Sequence, residues 1–199
     1  MITVSTLEVA RNYHHGTLRL ALLEAGLAAL EHASLEALSL RGLAREVGVS
    51  PTAVYRHFPD KAALLRALAE KGVEELGTAQ QAAMAAAAGP DESFGAIGRA
   101  YVRWALANPA LFRLVFTCRD VTEVDVFGQS LAARLLQSNA LAASDEPEDT
   151  PRIMVQAWAL VHGLAMLMLD GKLPADDTLI DAVIDPGRLF PLKDPSAAA

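Results

Sequence analysis

Apolar residues recur at spacings of three and four along most of the chain, and the residues that break this pattern leave segments of helical length between them. In the first segment, Leu18, Leu22 and Ala25 recur in this way, as on one apolar face of a helix. We see no alternation of β-branched, aromatic and polar residues of the kind that strands show. The pattern therefore predicts an all-α fold.

Capping residues and breakers set the limits of about nine predicted helices. Thr17, Ser39, Ser50 and Asp60 each stand where a side-chain oxygen could cap a helix start, and Gly48 stands where a helix would stop. The predicted helices cover residues 17–32, 40–47, 51–58, 61–88, 91–107, 110–117, 122–143, 150–170 and 177–185.

The charge distribution divides the chain into two regions. Its 199 residues, 52% of them hydrophobic, suffice for one domain or two small ones with a sizeable core. Residues 1–61 hold six basic and six acidic side chains, whereas the remainder holds 11 basic and 18 acidic ones and so carries the whole net charge of −7. We expect the first region to tolerate a polyanion and the second to repel it.

Cysteine usage and hydropathy indicate the compartment. The single cysteine, Cys118, excludes an internal disulfide and favours a reducing cytosol. The first residues lack the features of a signal peptide. The longest apolar stretch, 154–169, is interrupted by Gln156 and His162 and is shorter than the ~20 residues that a bilayer span needs. We expect a soluble, cytoplasmic protein with no membrane partner.

Residues 39–58 hold two short predicted helices separated by a turn with glycine, which is the spacing of a helix-turn-helix. Apolar residues such as Leu43 and Val54 would fix the crossing of the two helices. The opposite face of the second helix carries no carboxylate that would repel phosphate. That face presents Thr52, Ala53, Tyr55, Arg56 and His57, followed by Lys61. In such a unit the first turn of the second helix lies nearest the base edges, which places Thr52 and Ala53 there.

The string from Ser39 to Leu65 resembles the DNA-binding signature of TetR-type transcriptional regulators. Its blocks Ala-x-x-x-Gly-Val-Ser from Ala44, Tyr-x-His-Phe from Tyr55 and Lys-x-x-Leu from Lys61 follow in that family's order and spacing. Residues 13–19 (YHHGTLR), 101–116 (YVRWALANPALFRLVF) and 158–163 (WALVHG) are similar to the branch with a WHG-like carboxyl-terminal effector domain. Gly42 departs from the pattern, because the family usually has a larger residue there.

The resemblance implies an amino-terminal helix-turn-helix domain over residues 1–60, a larger helical effector-binding and dimerisation domain over 61–190, and a flexible tail over 191–199. The DNA-binding residues would be Thr17, Ser39, Arg41, Ser50, Pro51, Thr52, Ala53, Tyr55, Arg56, His57 and Lys61. The effector pocket would be lined by Tyr101, Trp104, Phe112, Phe116, Phe127, Trp158 and His162. Ser39 and Ser50 could equally be caps only, and each aromatic residue could equally belong to the core. The imidazole of His162, inside an apolar run, needs a hydrogen-bond partner from the protein or from a ligand.

The function implied is that of a homodimeric repressor that binds a palindromic operator through its third helix and is released by a small-molecule effector. The predicted helices 150–170 and 177–185 would pair the two copies. A helical small-molecule-binding protein that does not bind DNA is the alternative. We expect no enzyme activity, because Cys118 and His162 have no acidic partner, nucleophile elbow or glycine loop beside them. We expect no cofactor and no metal, since His14 and His15 are adjacent and lack the spacing of a zinc site.

Overall fold

The computed structural model describes residues 15–32, 34–117, 128–144 and 146–185. These residues form nine α-helices and one 3₁₀ turn, with no strand among them, so the predicted all-α fold and helix number are confirmed. The helices are α1 (His15–His32), α2 (Leu40–Val47), α3 (Pro51–Tyr55), α4 (Lys61–Ala85), α5 (Pro90–Ala107), α6 (Pro109–Thr117), α7 (Leu131–Ala143), α8 (Thr150–Leu169) and α9 (Asp177–Val183), with the 3₁₀ turn at Pro147–Asp149.

Three predicted caps are present. Ser39, Ser50 and Asp60 each accept a hydrogen bond from the backbone N–H three residues later, at 3.1, 3.3 and 2.7 Å. Each bond satisfies one of the amide groups that a helix start leaves without an intrahelical partner. Gly48 ends α2 in the left-handed region, with φ of 76°, where glycine pays no steric penalty. The turn between α2 and α3 is therefore set by local sequence.

Several predicted helix limits are wrong. Residues 128–130 form a turn, so the helix predicted over 122–143 does not continue into α7, which begins at Leu131 after its cap Ser130. α9 ends at Val183 instead of at 185. α1 begins at His15, so Thr17 lies in its first turn and is not the cap. α3 ends at Tyr55 instead of Phe58, and the amides of His57 and Phe58 both donate to the carbonyl oxygen of Val54 in a tight turn. Pro59 disfavours helical backbone at Phe58 and has no N–H to donate to the carbonyl of Tyr55, so the helix cannot continue beyond this turn. α4 ends at Ala85, three residues short of the predicted limit of 88.

The chain divides into two compact units, Met1–Leu68 and Ala69–Ala199, and the division falls within α4. In the amino-terminal unit α2 packs against both α1 and α3. Its core contains Leu22, Leu43, Val54, Phe58 and Leu64, all of which are almost fully buried. The guanidinium of Arg19 lies 5.4 Å from the centre of the Phe58 ring, in a cation–π contact. This core holds α3 by its Val54 face and leaves the other face outward.

In the carboxyl-terminal unit α5 is the central helix and packs against α6, α7, α8 and α9. One core cluster joins Phe94 and Ile97 of α5 to Leu135 of α7 and to Ile153 and Ala157 of α8. Gly98 permits the close approach of two neighbours to α5. A Cβ atom there would lie 3.0 Å from the side chain of Ile184 and 3.3 Å from that of Val161.

Ion pairs fasten α9 to α5. Arg103 donates to Asp177 at 2.7 Å and to Asp181 at 2.9 Å. One turn earlier, Arg99 donates to the carbonyl oxygen of Ile184 at 3.0 Å and pairs with Glu92. These contacts fix α9 along the outer edge of α5.

Candidate DNA-binding surface and effector site

The outward face of α3 and the turn after it carry the five residues predicted to face DNA. Thr52, Tyr55 and Arg56 are exposed, Ala53 and His57 are half-buried, and Val54 between them is buried. We call these five outward residues the recognition ridge. Tyr55 is 44% exposed, which excludes the reading of this ring as a core aromatic. The structure thus presents a phenol, a guanidinium and a hydroxyl together on one surface.

Four further predicted DNA contacts lie at the starts of α2 and α3. Ser39, Arg41, Ser50 and Pro51 are all exposed. The Ser39 and Ser50 oxygens accept the capping bonds, but a hydroxyl also has one hydrogen to donate. The two roles that the sequence left open are therefore compatible, and contact with phosphate stays a prediction. Thr17 is exposed on α1.

Lys61 occupies the first position of α4 and has a structural partner. Its Nζ donates to the carbonyl oxygen of Glu36 at 3.1 Å, which ties α4 to the turn before α2. An ammonium group has three donors, so two remain for a phosphate. The pKa of the exposed Glu36 carboxyl is lowered chiefly by a hydrogen bond with the Ser34 side chain. A hydrogen bond with the backbone of Glu36 and the charge of Lys61 lower this pKa further.

Six of the seven predicted effector residues come together in the carboxyl-terminal unit, on α5, α6 and α8. The aromatic cluster, as we call it, consists of Tyr101, Trp104, Phe112, Phe116, Trp158 and His162. Phe112 is its centre: its ring centroid lies 5.1 Å from that of Phe116, 5.3 Å from that of His162 and 5.9 Å from that of Tyr101. Trp104 lies 6.5 Å from Phe112, and Trp158 lies 6.1 Å from His162. Phe127, the seventh residue, is outside the described residues.

The protein itself supplies a partner to His162. The hydroxyl of Tyr101 and Nδ1 of His162 are 2.9 Å apart in a hydrogen bond. Burial raises the pKa of Tyr101 well above its usual range, and a hydrogen bond with Trp158 lowers it in part. Burial also lowers the pKa of His162. Both side chains are therefore uncharged at neutral pH.

The side chain of Trp104 presents an unsatisfied donor that the sequence analysis did not identify. It is 7% exposed, and its Nε1 has no hydrogen-bond partner among the described residues. Trp104 stands three residues after Tyr101 on α5, so the two side chains share a helix face. The usable sequence signal was that an indole can donate a hydrogen bond but cannot accept one, so a buried indole needs an acceptor.

The ion pairs between α5 and α9 were also missed. Arg99 and Arg103 are four residues apart, as are Asp177 and Asp181. Residues at this spacing lie on one face of a helix. The two matching pairs were a usable signal that α9 would lie along α5.

α8 keeps an apolar face that the described residues do not cover. Val155, near its centre, is 64% exposed, and Trp158 and Leu167, on its two opposite edges, are 38% and 46% exposed. Residues 153–169 contain no acidic side chain, lysine or arginine. Residues 147–169 satisfy the length and composition of a membrane span, which the sequence did not lead us to expect, but the core helix of a soluble protein satisfies the same criteria.

Among the residues that the structure describes, no group of three or more histidine, cysteine, aspartate or glutamate side chains is placed to hold a metal ion.

A three-helix unit with an outward recognition ridge, followed by a larger helical unit, is the architecture of helix-turn-helix regulators with a separate carboxyl-terminal domain. Residues 22–68 match the bacterial regulatory proteins of the tetR family. Residues 94–186 match the tetracyclin repressor-like carboxyl-terminal domain. The chain belongs to the TetR family of transcription regulators, as the resemblance in its sequence implied.

Solved structures share this architecture. A protein of unknown function from Rhodococcus sp. RHA1 is 36% identical, with a TM-score of 0.69 over 89% of this chain and 94% of that one. A TetR family transcription regulator from Shewanella sp. PV-4 is 21% identical, with a TM-score of 0.56 over 85% and 96%. RolR in complex with resorcinol is 19% identical, with a TM-score of 0.61 over 92% and 91%. No curated protein matches the chain.

Proposed function

We propose that this chain is a homodimeric repressor that binds a palindromic operator through α3 and releases it when a small molecule occupies the aromatic cluster. The proposal rests on the composition and exposure of the recognition ridge. Its outward groups are hydrogen-bond donors and small side chains, and residues 50–57 contain no carboxylate. Such a surface suits phosphate contacts from Tyr55 and base contacts from Thr52.

Two copies are required because one reading helix covers only a few base pairs. A two-fold dimer presents two such helices to half-sites about 34 Å apart. The uncovered face of α8 around Val155 and Leu167 supports pairing, whereas Trp158 at its edge belongs to the aromatic cluster. The face is apolar, and it lacks the charges that would make a second copy of the same face repel the first. The contacts between α5 and α9 would hold α9 beside α8 as part of that interface.

The effector role of the aromatic cluster rests on its position on α5, α6 and α8. A ligand there touches α8, the proposed pairing helix, and therefore has a route to the separation of the two ridges. A coupling free energy of about 1 to 3 kcal/mol between the two sites is typical of such regulators. The likeness to RolR concerns the fold and assigns no ligand to this chain. We place the protein in the cytoplasm, with no cofactor, no enzyme activity and no membrane partner.

Unbiased selection of bound duplexes from a random library tests this function. We expect a two-fold symmetric site and a selected sequence that changes in Thr52→Ala and Arg56→Ala. The same site should be selected by Tyr55→Phe, because that hydroxyl is assigned to phosphate. A folded dimer that enriches no sequence, even at low ionic strength, would favour the helical ligand-binding protein without DNA-binding activity.

A further inference from the structure

The hydrogen bond between Tyr101 and His162 leaves one donor unused, whichever way it points. A neutral imidazole has one donor nitrogen and one acceptor nitrogen. If the Tyr101 hydroxyl donates to Nδ1, the imidazole proton is on Nε2, and no described residue accepts a hydrogen bond from that N–H. If Nδ1 donates to the Tyr101 oxygen, the phenolic O–H is unused instead. The indole of Trp158 also bonds to Tyr101, but an indole only donates and so takes up neither group.

Trp104 adds a second unused donor to the same cluster. Its Nε1 is buried without a partner among the described residues. A buried donor that has lost its water costs free energy until an acceptor reaches it. The cluster therefore has two hydrogen-bond donors for which the described residues supply no acceptor, and aromatic rings surround both donors.

The cluster offers no counter-charge to an ionic ligand. None of its six residues is a carboxylate, lysine or arginine, and its histidine is held neutral by burial. Arg99 and Arg103, which share α5 with it, are engaged by acidic residues of α5 and α9. An ion that entered the cluster would lose hydration without a partner.

The accessible side of the cluster is the imidazole side. Tyr101 and Phe112 are almost fully buried, whereas Phe116, Trp158 and His162 are partly exposed. An incoming molecule meets the edge of His162 and the rings of Phe116 and Trp158 first. Tyr101 lies behind His162 and sets its orientation.

We infer that the aromatic cluster binds an uncharged aromatic compound that carries a hydrogen-bond-accepting oxygen, with that oxygen at His162 and the ring against Phe116 and Trp158. The regulatory meaning of this site rests on the proposed function, while the binding preference can be measured without DNA. Tyr101 acts as a positioning residue, and His162 is the group that touches the ligand.

Calorimetric titration of the full-length protein with four probes of similar size tests the preference. Acetophenone carries a neutral acceptor, ethylbenzene has none, and benzoate and benzylamine are charged at pH 7.5. We expect acetophenone to bind about tenfold more tightly than ethylbenzene, the factor that one satisfied hydrogen bond supplies. Benzoate and benzylamine should bind more weakly than acetophenone by at least as much. The chain's two tryptophans both belong to the cluster, so their fluorescence gives an independent binding signal.

His162→Phe keeps an aromatic ring and removes the donor, so we expect it to reduce the acetophenone preference to less than about twofold while ethylbenzene binds as before. His162→Gln, which retains an N–H, should restore part of the preference. Tyr101→Phe should reduce it less, because the imidazole keeps a donor. His32→Phe, at the exposed end of α1, is the matched control and should leave the preference unchanged.

Equal affinity for acetophenone and ethylbenzene, tighter binding of either ion, or a preference that survives His162→Phe would overturn the inference. If His162→Phe does not fold, the probe ranking of the unmodified protein and the Gln variant decide. Failure of the proposed function would look different: acetophenone would bind with the expected preference, but the protein would not bind DNA or the probe would not change its DNA affinity. Release of DNA by benzoate and not by acetophenone would contradict the inference alone.

Discussion

In the amino-terminal unit Thr52, Tyr55 and Arg56 of the recognition ridge are exposed, and the buried residues behind them are apolar. In the carboxyl-terminal unit the hydroxyl of Tyr101, the imidazole of His162 and the indole of Trp104 lie inside the aromatic cluster. A charged polymer is recognised on a surface where water and salt can leave, whereas a small neutral molecule is recognised where polar groups are already desolvated. Under the function proposed above, the two units would separate the two kinds of recognition that a ligand-responsive regulator needs.

The largest expected effect is a loss of stability, which shows whether the aromatic cluster is part of the hydrophobic core as well as a candidate binding site. Phe112 is fully buried and lies at the cluster's centre. We expect Phe112→Ala to lower the free energy of unfolding by about 3 to 5 kcal/mol, through lost burial and a residual cavity. Denaturant unfolding followed by tryptophan fluorescence measures this loss. Leu141→Ala, at an exposed position of α7, should change stability by less than about 0.5 kcal/mol. A small loss for Phe112→Ala would mean that the cluster is a loose pocket only.

The second prediction concerns the uncovered face of α8. Val155→Glu places a charge where we propose that two copies meet, and a buried unpaired charge costs about 3 to 5 kcal/mol. We expect sedimentation velocity to show a folded monomer whose affinity for the selected duplex is strongly reduced. Ala142→Glu, on the exposed side of α7, should remain dimeric. A dimeric Val155→Glu variant would place the interface elsewhere.

The third prediction concerns the proposed phosphate contacts of the amino-terminal unit and the salt dependence that they give to DNA binding. Lys61→Ala removes one proposed phosphate contact per copy, so the slope of log affinity against log salt concentration should fall by about 0.9 per contact. Tyr55→Phe, which loses a neutral hydroxyl, should weaken binding to every duplex with little change in slope. Lys172→Ala, an exposed lysine of the carboxyl-terminal unit, is the matched control. Identical salt titrations for Lys61→Ala and the unmodified protein would limit Lys61 to its bond with Glu36.

The smallest expected effect is a pH dependence of stability. Burial depresses the pKa of His162 in the folded chain below its value of about 6.5 in the unfolded chain. The unfolded state therefore binds more protons as the pH falls through this range, and stability is lost below about pH 6.5. Denaturant unfolding between pH 7.5 and 5.5 should show a smaller loss for His162→Phe than for the unmodified protein. Equal losses would mean that His162 is not desolvated in the fold.

The amino-terminal unit was the easier of the two to predict, because its determinants are local. Ser39, Ser50 and Asp60 cap helices through bonds that span three residues. Gly48 ends α2 through its own left-handed backbone, and Pro59 restricts the residue directly before it. Such local bonds made the starts of α2, α3 and α4 predictable, whereas the start of α1 and the end of α3 were not.

The carboxyl-terminal unit depends on contacts that a sequence pattern does not pair. The aromatic residues were predicted as a group, but the partner of His162 lies 61 residues away at Tyr101. The bonds from Arg103 to Asp177 and Asp181 span 74 and 78 residues. Periodicity indicates which face of a helix is apolar, and it does not say which helix covers that face.

The central claim is that the recognition ridge of a paired protein binds duplex DNA. Sedimentation of the full-length protein with the selected duplex at low ionic strength tests it most directly. We predict a complex of two chains per duplex, which separates as salt is added and which Val155→Glu does not form. A folded, monomeric protein that leaves every duplex unbound would contradict the claim.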